Sequence, residues 1–378
     1  MSYNPSDFLL SNYDYNLPQN AIAQNPANPR ENAKLLVYER SSGRIIHSDF
    51  YHFCDFVPQD TLIVMNDTKV LKARIYAHKL DSNTQSLSQK KYEIFFHKAL
   101  DCVNPTNHPA SATRFLAQIK GRVKIGSRLV LSSESKADNA NISHTQHSAN
   151  PPIIAEVKEC LRNGLRVVCF MQGEKILSYL DVLSMLEVCG HIPLPPYIKR
   201  DDSLSDETFY QSVFAHNLGS IAAPTASLHF SERSLESLQN CFETCFITLH
   251  IGAGTFMSVE SDDIRQHEIH TETYSLEKNC ANAIENARKV LCVGTTSARC
   301  VEHYMRCKSL SGECDMFLYP SVEFKRVDYL LTNFHLPKST LLMLVSAMIG
   351  REKCLELYTL ALSKGYRFYS YGDGMLIL

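Results

Sequence analysis

The hydrophobic rhythm of the chain changes near residue 175. Before that point, short apolar or alternating runs recur between polar turns: Thr61–Met65, Val70–Ala77, Tyr92–Phe96, Arg114–Ile119, Ser127–Leu131, Ile153–Glu156 and Leu165–Phe170. Runs this short, separated by turns such as Asn66-Asp67, read as strands and predict an antiparallel barrel or sandwich. Three polar stretches, Asp81–Lys90, Asp101–Ala112 and Ser132–Pro152, read as exposed loops between them. After residue 175, helix-like segments (Lys175–Glu187, Ser231–Asn240, Leu276–Lys289, Ser339–Ile349, Glu352–Lys364) alternate with apolar strands (Phe246–Ile251, Val290–Val293, Tyr329–Thr332, Arg367–Tyr371). That alternation is the α/β pattern. Leu35–Tyr38 is one more strand that can join the same sheet. The simplest architecture is a larger α/β domain of residues 1–56 and 176–378, with an antiparallel β-barrel of residues 57–175 inserted into it.

Composition narrows this picture without changing it. With 378 residues, 44% hydrophobic and 21% charged, the chain reads as a globular protein able to bury a sizeable core. A net charge of −2 means that any nucleic-acid surface must be a local patch. No basic start is followed by an apolar run, so the expected location is cytoplasmic. The apolar run Leu341 to Gly350 is about half the roughly 20 residues a spanning helix needs, and it predicts a buried helix without membrane contact. The thirteen cysteines include a Cys241–Cys245 pair but no Cys-x2-Cys and no third partner at metal-ligand spacing. They are expected to be reduced, buried hydrophobes with no metal or iron–sulfur site.

Four strand ends carry candidate chemistry, since ligands of open α/β domains bind where strands give way to helices. Leu249–Phe256 runs a strand into Gly252, Gly254 and Thr255, where backbone N–H groups can approach a ligand; a tight turn would explain the same pattern. Val293–Arg299 places Thr295, Thr296 and Ser297 at the start of a helix, suited to an anion or to plain N-capping. Leu331–Thr340 puts Asn333, His335 and Lys338 after a strand, able to hold a base edge or ribose diol. Tyr369–Gly374 ends in Gly-Asp-Gly, either a turn or a site for Asp373 as a base. His229, beside the small residues Ala223, Pro224, Thr225 and Ala226, is an acid–base candidate, with a packed core histidine as the plain alternative. His267, His270 and Glu272 lack metal-ligand spacing; His270 and Glu272 remain secondary acid–base candidates.

No one of these motifs is specific alone, but their wording and order together are. Tyr13–Pro18 with Ile22–Gln24, Asn66–Val70 with Ala73-Arg74, and His191–Ile198 come first; Tyr210-Gln211, Gly219-Ser220, Ala222–Ala226 with His229-Phe230, and the four strand ends follow. In these the chain resembles the S-adenosylmethionine:tRNA ribosyltransferase-isomerase family of queuosine synthesis, over nearly its whole length. The resemblance implies an α/β domain with an inserted β-barrel. It also implies transfer and isomerisation of the ribosyl group of S-adenosylmethionine onto 7-aminomethyl-7-deazaguanine at the tRNA wobble position, forming epoxyqueuosine with loss of adenine and methionine. S-adenosylmethionine is then a consumed co-substrate, no permanently bound cofactor is expected, and the chain is taken to act as a monomer. Asp373, His229, His270 and Glu272 become catalytic candidates. Pro224, Thr225, Gly252, Gly254, Thr255, Thr295, Thr296, Asn333 and His335 become substrate contacts, and Lys69, Arg74, Lys338 and Arg367 phosphate contacts for tRNA. The chain departs from the family pattern at Ser227 (usually Gly), Ser258 (Pro), Lys34 (Arg), Ser321-Val322 (Gly-Tyr) and Gly374 (Ala). Two alternatives stay open: an S-adenosylmethionine-dependent tRNA methyltransferase, and a non-catalytic RNA-binding module built on the barrel.

Overall fold

Leu35-Leu36-Val37, Leu62–Met65 and Val290–Val293 are apolar at every position, so strands made from them need cover on both faces. The computed structural model, which describes residues 4–81, 83–100, 113–132, 151–256 and 259–378, provides that cover. Its first unit comprises Met1–Val70, Pro195–Arg200 and Phe209–Leu378. There, nine described strands form one sheet in the order Ser311–Cys314, Glu272–Leu276, Thr244–Leu249, Thr61–Asn66, Lys289–Val293, Tyr329–Asn333, Gly374–Ile377, Lys34–Tyr38, Ile45–Asp49. The run of four from Thr244–Leu249 to Tyr329–Asn333 is parallel. Neighbouring residues on each strand enter different cores. Leu36, Leu62, Val64, Val290, Cys292 and Leu330 pack with the helices Thr295–Cys307, Thr340–Ile349 and Arg351–Ser363. Leu35, Val37, Ile63, Met65, Leu291 and Val293 pack with Phe50, Phe53, Phe230 and Leu238 on the opposite face. Each such side chain, fully buried, contributes about 1.5–3 kcal/mol.

The second unit comprises Leu71–Leu194 and Asp201–Thr208. Six antiparallel strands close on themselves: Leu165–Gln172 pairs with both Phe115–Lys120 and Ile153–Cys160, and Leu87–Ala99, Arg74–Leu80 and Arg128–Leu131 complete the ring. Ile75, Ala77, Ile94, Phe96, Phe115 and Phe170 alternate into its filled interior. Closure removes the exposed edges that an open sheet of this size would carry.

The fold is therefore α/β with an inserted antiparallel barrel, and the differences from the sequence reading are local. Thr61–Met65 belongs to the nine-stranded sheet, not the barrel, and its unbroken apolar run is the mark of a strand buried on both faces. Arg367–Tyr371 is not a strand. Tyr369 has φ +76°, and the strand begins only at Gly374, so the Gly-Asp-Gly turn precedes its strand. Lys175–Glu187 opens with a short strand, Lys175–Ile176, and the helix is Tyr179–Cys189, started by the Ser178 capping box. Within Asp81–Lys90, Leu87 onward is already strand. Asp101–Ala112 and nearly all of Ser132–Pro152 lie outside the described residues. Among the described residues no helix is long and apolar enough to cross a membrane.

Candidate active site

The parallel strands of the first unit end at one cleft, as expected for an open α/β sheet. Lys289–Val293 delivers Gly294, whose φ of +88° turns the chain sharply into the helix Thr295–Cys307. Tyr329–Asn333 delivers Asn333, Phe334 and His335; Thr244–Leu249 leads to Ile251 and Thr255. The turn Pro224-Thr225-Ala226 forms a further wall. Asn66 ties these ends together: its amide donates to the Leu249 carbonyl at 3.0 Å and to Thr296 Oγ1 at 3.4 Å, and its oxygen accepts from Leu249 N and Thr68 N, both at 3.1 Å. The cleft encloses about 700 Å³, open solvent at its mouth included. Pro224, Thr225, Thr255, Thr295, Thr296, Asn333 and His335 all line it.

At its edge lies a buried carboxylate, Glu272, with four donors on it. Oε1 accepts from Gly252 N (3.0 Å), His270 Nε2 (3.1 Å) and Thr255 Oγ1 (3.3 Å), while Oε2 pairs with Arg299 Nη1. Burial by itself would raise the Glu272 pKa. The Arg299 charge, then His270 and the Gly252 N–H, overturn that and hold it below the ordinary carboxylate value. His270 keeps a quarter of its side chain accessible. Gly254 makes room for it: a Cβ at that position would stand 2.2 Å from His270 Cγ. The two glycines of the Leu249–Phe256 run thus serve Glu272 and His270, and they do not themselves line the main cleft.

The other acid–base candidates are placed differently, buried and away from open solvent. Asp373 is 1% exposed and does not line the cleft. Its carboxylate accepts from Arg367 N (2.7 Å), Arg367 Nη2 (3.1 Å) and Lys34 N (3.1 Å), so it organises its own turn. His229 is buried, stacked on Phe50 with ring centroids 4.0 Å apart. Burial, then the charges of Arg367 and Arg30, push its pKa down to about 3. Asn333 Nδ2 donates both to the Tyr369 carbonyl (3.1 Å) and towards His229 Nε2 (3.3 Å), which leaves that nitrogen an acceptor on a neutral ring. His335 is likewise buried, neutral and bonded to Thr332 Oγ1 at 2.8 Å. Burial thus holds both imidazoles in the neutral form. Of the four basic candidates, Lys69 and Lys338 are exposed, the latter paired with Asp14 at 2.7 Å. Arg367 is tied to Asp373. Arg74 belongs to the barrel unit, where it donates to the Leu194 carbonyl at 2.8 Å and faces Glu93 at 3.7 Å.

Sequence reasoning passed over Arg299, Tyr197 and Ser370, all of which line the cleft. Arg299 was legible: it stands four residues after Thr295, on the same helix face. Tyr197 closes the Pro-rich run of residues 193–197, and its hydroxyl meets Ser370 Oγ at 2.5 Å. Nothing local in either segment announces that pairing. Of the departures, Ser227 is fully buried with an unpartnered Oγ and does not line the cleft. Gly374 sits where a Cβ would be 2.7 Å from the Phe50 ring, and Ser258 lies outside the described residues.

The profile of a family described as "Queuosine biosynthesis protein" matches residues 10–377. The S-adenosylmethionine:tRNA ribosyltransferase-isomerase of Helicobacter hepaticus is 69% identical over 373 residues, covering 99% of this chain and 97% of that protein. Its namesake from Helicobacter pylori strain J99 is 48% identical over 375 residues, covering 98% and 99%. The crystal structure of S-adenosylmethionine tRNA ribosyltransferase from Thermotoga maritima, 26% identical, superposes with a TM-score of 0.50 over 97% of this chain and 100% of that one.

Proposed function

Because the chain belongs to the queuosine biosynthesis protein family, the S-adenosylmethionine:tRNA ribosyltransferase-isomerases, we propose that it transfers and isomerises the ribosyl group of S-adenosylmethionine onto 7-aminomethyl-7-deazaguanine in tRNA. The products are epoxyqueuosine in tRNA, adenine and methionine. The observation that carries the reading at atomic level is the His270–Glu272–Arg299 cluster at the edge of a cleft lined by hydroxyls and amides. The sulfonium acidifies the adjoining ribose C–H, and removing that proton needs a base that is accessible and held in place. His270 keeps a quarter of its side chain accessible, and Glu272 fixes its ring. Asn333, Thr295 and Thr296 offer the polar contacts a nucleoside requires, and the buried Asn333 Oδ1 has no protein partner, as suits an acceptor for a ligand N–H or O–H.

The tRNA backbone would meet basic side chains that the fold leaves exposed: Lys69 and Lys338, and on the barrel Lys90, Lys91, Lys120 and Arg122. Lys91 lies over the Tyr76 ring at 4.1 Å and Lys90 over Tyr92 at 5.3 Å, the basic-aromatic mixture that suits RNA. The test is to incubate the protein with labelled S-adenosylmethionine and tRNA bearing the deazaguanine, and then to analyse nucleoside and small products. Free adenine and methionine, with ribosyl label in the tRNA, are expected. S-adenosylhomocysteine with a methylated tRNA would replace this reading by methyl transfer.

A further inference from the structure

Arg299 carries a donor that the protein does not use. The residue is 4% exposed; Nε donates to the Met316 carbonyl at 2.9 Å and Nη1 pairs with Glu272, but Nη2, also buried, has no partner. A guanidinium N–H shut away from water without an acceptor is costly, and buried donors of this kind normally find one. Arg299 also occupies a particular place. It borders both the main cleft and a side chamber that shares Thr255 and Leu341 with it. The chamber encloses about 300 Å³ against about 700 Å³ for the cleft, solvent included. Its walls are Ile269, Met316, Phe317, Leu318 and Leu344, with His270 also on its surface. A small, apolar chamber with one unsatisfied cationic donor at its junction is complementary to a short aliphatic chain ending in an anion.

We propose that this chamber takes the amino-acid arm of S-adenosylmethionine: the carboxylate accepts from Arg299 Nη2, and the methylenes lie against Leu341, Leu344 and Met316. The inference rests on the reading that S-adenosylmethionine occupies the cleft. It assigns Arg299 as a substrate-binding and specificity-determining residue. Charge supports it. Glu272 and Arg299 already balance each other, so the incoming carboxylate meets the one donor left over and offsets one of the two positive charges, α-ammonium and sulfonium, that the substrate carries into the same low-dielectric space. An adenine ring, planar and larger than the arm, belongs in the roomier main cleft.

The experiment measures binding of three adenosyl compounds, with tRNA present and absent, by competition against labelled S-adenosylmethionine or by calorimetry. They are S-adenosylmethionine, its decarboxylated analogue and 5′-methylthioadenosine, which lacks the arm. Wild-type protein should bind the decarboxylated analogue about 30-fold or more weakly than S-adenosylmethionine, because the buried donor is left unmet. In Arg299→Lys, which retains the charge beside Glu272, that ratio should collapse to within about threefold whatever the absolute affinities. Ile269→Phe narrows the chamber without touching Arg299 or Glu272. It should weaken S-adenosylmethionine about tenfold or more and leave 5′-methylthioadenosine within about twofold. If Arg299→Lys does not fold, this second variant decides. Equal wild-type affinity for the carboxylated and decarboxylated compounds, a ratio that survives in Arg299→Lys, or equal weakening of both ligands in Ile269→Phe overturns the assignment while leaving the substrate intact. Failure of wild-type protein to bind S-adenosylmethionine under either condition overturns the substrate reading itself, and this inference with it.

Discussion

At the scale of single residues, the proposed proton transfer falls to His270, the accessible histidine, and not to the buried His229 and His335. His270→Gln retains a group that can bond Glu272 but removes the imidazole. Single-turnover formation of modified tRNA should fall about 10²-fold or more, with far less change in S-adenosylmethionine affinity. A rate near that of the unaltered protein would remove His270 from the mechanism. His229 and His335 act instead on stability. Burial holds both near a pKa of about 3 in the folded protein, against 6.5 for an unhindered imidazole. A base whose folded pKa is depressed takes up protons on unfolding, so stability falls as pH drops from about 6.5 towards 3. At pH 5 each should cost about 2 kcal/mol of unfolding free energy. Urea unfolding of the wild type against a His229→Phe, His335→Gln double variant should show the wild type losing stability faster between pH 7 and pH 5. Parallel pH profiles would refute this. The placement of Asp373 within its own turn has a reason invisible in sequence. Gly-Asp-Gly signals a turn aspartate and an accessible base equally well, and only the fold shows Lys34 N and Arg367 converging on it.

At the scale of elements, strands were the easier part to read and turns the harder. Periodicity and unbroken apolar runs locate Lys34–Tyr38, Lys289–Val293 and Tyr329–Asn333, since their side chains have no choice but to face one core or the other. The strands Ile45–Asp49, Glu272–Leu276 and Ser311–Cys314 were not legible, being peripheral, short and mixed in polarity. Four strand ends singled out from glycines and hydroxyls do supply cleft residues, but which glycine serves a ligand and which a neighbour depends on contacts across the sheet. Gly254 illustrates the second kind. Gly254→Ala would drive a methyl group into the His270 ring, so the ring must leave its bond to Glu272. Turnover should drop at least about tenfold while the circular dichroism spectrum stays native. A fully active, folded Gly254→Ala protein would mean that His270 tolerates the shift. On the barrel, Lys90→Glu with Lys91→Glu should weaken tRNA binding about tenfold and flatten its salt dependence. Its affinity for S-adenosylmethionine alone should not move. Unchanged tRNA titrations at several salt concentrations would take the Leu87–Ala99 strand out of the RNA surface.

At the scale of the whole molecule, fold class was legible and connectivity was not. A near-neutral total charge concealed the basic-aromatic strand of the barrel, because composition averages over both units. The sequence also gives no sign that Pro195–Arg200 lies with the α/β unit while Asp201–Thr208 rejoins the barrel unit. Sheet order has a further consequence, for the moment of synthesis. The barrel strands run from Arg74 to Gln172, so all of them are translated before half of the 378 residues are made. The large sheet has to wait. Gly374–Ile377 lies inside it, bonded to Tyr329–Asn333 on one side and Lys34–Tyr38 on the other. Until those four residues emerge, Lys34–Tyr38 and Ile45–Asp49 form a hairpin with an apolar strand uncovered along one edge, the kind of surface that pairs with other chains. Nascent protein stalled before residue 374 should bind chaperones and resist crosslinking between residues 36 and 330; release of the last strand should reverse both. Gly374–Ile377 acts as the latch of the nine-stranded sheet.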